Sequence, residues 1–238
     1  MGRHKFVHIP ASGKSFLRES FSREGLRHVA RLLPIFAVIP VFWSLYDQSS
    51  SRWILQAERM DRVVFGHEIL ASQTHAANPI LVLIFIPLFS GVIYPFLGRF
   101  VALTPLRKVG LGMFGMVFAF LVSAWIEVML ARGETPHIAW QGLAYIVLTA
   151  SEVCYYMTML EFSYTQAPRQ MKSLIMGISY LCISLGNQIT ALVNFAIRKL
   201  NLEETLTGAT YYLMFAGLML LTAIIYVFIA KSYREQTF

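Results

Sequence analysis

The chain has 238 residues, of which 56% are hydrophobic and only 14% charged, against roughly 25% charged in an average globular domain. So few charges cannot cover a soluble protein of this size, and an aromatic content of 14% excludes a disordered chain. Two cysteines, Cys154 and Cys182, both within apolar stretches, exclude a disulfide scaffold, which leaves an integral membrane protein.

Residues 1–30 are basic and read as a linker on one side of the membrane. Crossing a bilayer as a helix takes about 20 mostly apolar residues. The first candidate span, 31–57, is too short if it stops at Tyr46, so the helix must continue through Gln48, Ser49, Ser50 and Ser51. Lipid does not tolerate those groups on all sides, so part of this span must face protein or a water-filled cavity. Further spans follow at 79–98, 108–131, 138–165, 172–197 and 206–230, giving an all-α bundle of six transmembrane helices over 31–238.

Lysine and arginine set the orientation. One side holds Arg3, Lys5, Lys14, Arg18, Arg23, Arg27 and Arg31, then Arg99, Arg107, Lys108, Arg169, Lys172, Lys231 and Arg234. The other side holds only Arg59, Arg62, Arg132, Arg198 and Lys199. Six spans and this bias put both termini in the cytoplasm, in a multi-pass protein of the cell (inner) membrane. The net charge of +7 follows from the same bias and is no sign of nucleic-acid binding.

Several fragments imitate chemistry. Gly110-Leu111-Gly112-Met113-Phe114-Gly115 fits a dinucleotide-binding pattern but lies inside the third span, where glycines serve close helix packing. His67-Glu68 lacks the second histidine of a zinc protease, because position 71 is Ala71. The six histidines have no metal-ligand spacing, so neither an enzyme nor a cofactor is expected.

Ionisable groups inside the bilayer are costly and are functional candidates by default. They are Asp47, Arg52, Glu152 and Glu161, with Glu127 placed near the interface in a non-functional role. Glu152 and Glu161, nine residues apart on one helix, lie about 180° apart and face opposite sides, so at most one faces a central cavity. Thr165 shares the face of Glu161. Trp43, Asp47 and Ser50/Ser51 share a face of the first span, from which Arg52 points away. An acid taken out of water can exchange protons near neutral pH, with a neighbouring cation setting when it does. Asn78-Pro79 opens the second span as an ordinary helix start, and Pro87 and Pro95 kink it. Gly186, Asn187, Gln188 and Asn194 make the fifth span polar, as interhelical hydrogen bonding requires.

Phe42-Trp43-Ser44-Leu45-Tyr46-Asp47-Gln48 together with Ser51-Arg52-Trp53 resembles the seventh-span signature of proton-dependent oligopeptide transporters of the major facilitator superfamily. Asn78-Pro79-Ile80 through Tyr94-Pro95 resembles their eighth span. Glu161-Phe162-Ser163-Tyr164-Thr165-Gln166-Ala167-Pro168 resembles the end of the tenth, and Gly186-Asn187 the eleventh. The resemblance covers nearly the whole chain. It implies the C-terminal six-helix half of a twelve-span transporter, with the first-half ExxER motif absent.

The resemblance implies proton-coupled uptake of short peptides, a symport that needs an N-terminal six-helix half, in the same parent chain or separate. It assigns the peptide's ammonium group to Glu161, a further N-terminal contact to Asn78, a pocket aromatic to Trp43 and a pocket hydroxyl to Thr165. It assigns proton coupling to Asp47, paired with a first-half arginine. One departure stands out: many members carry Trp where this chain has Ser179, with Tyr180 beside it. The alternative is a truncated, non-transporting membrane or interaction protein.

Overall fold

Proline and polar residues interrupt the apolar helices at specific points, and those interruptions shape the bundle. A computed structural model describes residues 21–168, 171–200, 206 and 208–233. Most of the basic linker expected over 1–30 therefore lies outside the described residues.

The first span is broken. Arg23–Phe36 is capped by the Ser22 hydroxyl, and a second helix, Ile39–Tyr46, carries Pro40 in its first turn. Pro40 has no N–H to donate, and the two parts meet at 40°. A 3₁₀ turn, Asp47–Ser50, then leads into a last helix, Arg52–Ala57. The Ser50 and Ser51 hydroxyls donate to the Asp47 carbonyl, at 2.9 and 3.3 Å, and so satisfy backbone groups that the break frees.

A short hairpin pairs Val63–Val64 with His67–Glu68 before the second span, Ala71–Leu97. That span begins several residues before the expected Asn78-Pro79, because a 3₁₀ turn over Ala71–Ala76 runs into the helix ahead of the proline. The third span, Pro105–Ala131, is one helix capped at Thr104. The fourth comprises Ala139–Glu152, a π turn at Val153–Met157, and Thr158–Thr165. Lys172–Lys199 and Gly208–Ser232 follow, giving, among the described residues, five candidate spans and a sixth formed by the bent first pair.

The third and fourth spans form the centre, with 61% and 56% of their most apolar windows buried, against 6% for the second span. Their approach rests on two glycines. A Cβ on Gly112 would stand 2.7 Å from the Ser151 carbonyl and 2.9 Å from the Tyr155 nitrogen, and one on Gly115 would strike the Ser151 hydroxyl. The glycines of the nucleotide-like motif are thus packing residues. Gly186 does the same between fifth and first spans, where a Cβ would stand 2.6 Å from the Pro40 carbonyl. Around these contacts Phe42 stacks on Tyr155 with centroids 3.8 Å apart.

Candidate functional site

The first, second and fourth spans bring one polar group together. The Asn78 amide nitrogen donates to the Tyr46 hydroxyl at 2.7 Å and to Glu152 Oε2 at 3.1 Å. Its carbonyl oxygen accepts from the Thr149 hydroxyl at 2.5 Å. The Tyr46 hydroxyl also lies beside Glu152. Asn78 is buried at 5% exposure, so its donors and acceptor must be met inside the protein, and all of them are. A carboxylate held by an amide donor keeps lone pairs for a further donor. The Glu152 carboxyl group is therefore held in place with acceptor capacity left over.

Aromatic side chains border this group. Trp43 lies 4.8 Å from the Tyr46 ring and 5.3 Å from the Tyr156 ring, both edge to face. Tyr156 in turn neighbours Tyr180 of the fifth span, beside the buried Ser179. Trp43 and Asn78 thus share Tyr46 as a neighbour.

Glu161 lies apart from Asn78. Nine helical positions separate it from Glu152, about 14 Å along the axis. It lines a recess of about 230 Å³ with Ser90, Tyr94, Lys108 and Thr158. The two acids do not point to opposite sides either. The i→i+5 turn at Val153–Met157 adds one residue to the helix, which shifts everything after it by about 100°. Both acids consequently turn toward the second span, one near its start and one near its end. That span carries its own π turn, Phe89–Ile93, and Phe89 packs against Val153 and Cys154 in the π turn of the fourth. Thr165 lies at the exposed end of the fourth span, its hydroxyl donating to the Phe162 carbonyl at 3.1 Å.

Asp47 is half-exposed, and among the described residues no side chain donates to its carboxylate. Arg52 is occupied otherwise. Its guanidinium lies 4.4 Å above the Tyr211 ring and donates to Asn194 Oδ1 at 3.4 Å. The Tyr211 hydroxyl bridges Gln48 Oε1 and Asn194 Oδ1 at 2.9 and 3.0 Å. Those bonds tie Gln48 and Arg52 of the first span to the fifth and sixth, while the buried Ser49 hydroxyl meets no hydrogen-bond partner among the described residues. Glu127 is buried and structural: Gln56 donates to it at 3.0 Å and Arg59 at 2.5 Å.

Sequence reasoning left Glu152 undecided and did not single out Tyr46, Thr149 or Tyr156. Tyr46 could have been found, since it adjoins Asp47 in the first-span signature. Thr149 and Tyr156 carry no signal of their own, because their place depends on the phase of the fourth helix.

Bent and broken spans, a carboxylate braced at the meeting of three of them, and a second acid whose carboxylate has no partner among the described residues are features of a membrane bundle built around polar groups. The family model PTR2, described as the POT family, matches residues 7–234, and the chain belongs to that family of transporters. "Peptide transporter family 1" of Drosophila melanogaster is 43% identical over 104 residues, covering 44% of this chain and 14% of that protein. "Peptide transporter PTR2" of Saccharomyces cerevisiae is 33% identical over 169 residues, covering 65% of this chain and 27% of that protein. Among solved structures, an auto-inhibited POT family peptide transporter superposes with a TM-score of 0.82 at 35% identity, covering 90% of this chain and 42% of the other. The chain therefore spans less than half the length of these relatives, as a six-helix half of a major-facilitator transporter does.

Proposed function

We propose that the chain forms the second half of a proton-coupled transporter of short peptides, with Glu152, Asn78 and Tyr46 receiving the peptide's N-terminal end. The observation that carries this reading is the 3.1 Å bond from Asn78 to Glu152, which braces a carboxylate for an ammonium group while leaving acceptor capacity free. Trp43 borders the same group and supplies an apolar wall. Glu161 and Thr165, further along the fourth span, line the path rather than hold the ammonium group.

Asp47 is the proton carrier in this proposal. Its carboxylate has no partner among the described residues, which suits an acid whose cation belongs to the other half. Protonation would release that pair and let the halves rock about the bound peptide. The need for another half has its own support: Asn187 and Gln188 are exposed within the fifth span, where lipid would leave their amides unsatisfied. The basic residues flanking the spans support a cell-membrane protein with both termini in the cytoplasm.

The test is uptake of a labelled dipeptide into vesicles holding the chain with a first half, with the inside made alkaline. Accumulation that stops when an ionophore collapses the proton gradient supports the proposal. Accumulation indifferent to the gradient, or absent with every first half supplied, refutes it and favours the truncated, non-transporting reading.

A further inference from the structure

A cleft of about 610 Å³ separates the third and sixth spans at the end where the third begins and the sixth finishes. Its floor is apolar and its rim is basic. Leu111 and Phe114 line it from the third span and are 46% and 42% exposed, so the cleft opens outward to the bilayer. Arg107 and Lys231 stand at its rim, one from each span. Among the described residues neither cation meets a carboxylate; Arg107 Nη1 donates only to the Ala102 carbonyl at 2.8 Å. The back wall is Tyr226, whose hydroxyl donates to the Leu106 carbonyl at 3.0 Å and ties the two spans together. Gly110 faces that ring, where an added Cβ would make ordinary contact at 3.6 Å. The positive end of the 27-residue third-span helix adds to the field at the rim.

The geometry points to a binding site for one anionic phospholipid, its phosphate between Arg107 and Lys231 and an acyl chain along Leu111 and Phe114. A free anion would find the two cations but gain nothing from the floor. A zwitterionic lipid would find the floor, but its own cation would oppose the rim. Only an anionic lipid matches both, and basic clefts at the ends of membrane helices select such headgroups. The cleft lies on the far side of the third span from the Asn78 group, because Gly112 and Gly115 pack against the fourth span between them.

Native mass spectrometry of the full chain in neutral detergent tests this, with phosphatidylglycerol and phosphatidylcholine titrated separately. Phosphatidylglycerol is expected to bind at about tenfold lower concentration. The R107Q/K231Q variant is expected to lose that preference, L111W to weaken both lipids by filling the floor, and R99Q, outside the cleft, to change neither. Equal binding of the two lipids, or a preference that survives R107Q/K231Q, overturns the site. Unchanged binding in L111W overturns the placement of the chain. Displacement of phosphatidylglycerol by millimolar inorganic phosphate would make the ligand a free anion and overturn the lipid assignment.

Discussion

Asn78 and Glu152, 74 residues apart in sequence, are joined by a 3.1 Å hydrogen bond between the second and fourth spans. The same amide reaches Tyr46 of the first span at 2.7 Å, so one side chain couples three helices at the place proposed for the peptide's N-terminal end.

Glu152→Gln keeps the size and one acceptor but removes the charge that an ammonium group would meet. A charge-assisted hydrogen bond contributes about 1.5–3 kcal/mol, so binding of a free dipeptide should weaken about tenfold to a hundredfold. Binding of the N-acetylated dipeptide should change little. Competition against a labelled peptide measures both, and the same loss for blocked and free peptides would remove Glu152 from this role.

Glu161→Gln provides the contrast. It lies about 14 Å further along the helix, in the recess with Lys108. The ratio of free to N-blocked peptide affinity should stay as in the parent chain. A collapse of that ratio in Glu161→Gln, with none in Glu152→Gln, would return the ammonium group to Glu161.

Asp47→Asn should abolish gradient-driven accumulation while leaving counterflow exchange of peptide largely intact, since exchange needs no net proton movement. Parallel uptake and counterflow assays in the same vesicles separate the two. Equal loss in both assays would make Asp47 a structural residue instead.

Gly112→Ala should destabilise the bundle by about 1–3 kcal/mol, because its new Cβ would press on backbone atoms of the fourth span. Gly177→Ala has open space around it and should be neutral or slightly stabilising in a helix. Thermal unfolding in detergent reads the difference, and equal midpoints would contradict the close packing of third and fourth spans.

Arg59→Ala leaves the Glu127 carboxylate buried with only Gln56 for company. The cost should be about 1–3 kcal/mol, moderated because the Arg59 side chain is 55% exposed. Adding Glu127→Gln should recover part of it, since a neutral amide leaves no buried charge. A double variant no more stable than Arg59→Ala would show that the pair is not electrostatically coupled.

Composition and span count were legible without a structure. The cost of placing a polar or charged residue in lipid is nearly additive along the chain, so 56% hydrophobic residues and the runs between charges identify the helices directly. The polar face of the first span was legible too, because lipid cannot satisfy Gln48 through Ser51, but its break was not: a continuous helix was expected where a 3₁₀ turn, Asp47–Ser50, stands. The third-span glycines read correctly as packing residues, and the quoted blocks pointed to the family.

Which acid meets Asn78 was not legible. Facing depends on helical phase, and a phase computed at about 100° per residue holds only while every turn is an α turn. The extra residue at Val153–Met157 breaks that count and turns Glu152 and Glu161 toward the same neighbour. No local propensity marks that turn; it sits where Phe89 of the second span packs on Val153 and Cys154. The apolar runs thus determined that helices cross the membrane here, while contacts between helices decided which side chains meet, since register and phase follow from packing rather than from the transfer energy of single residues.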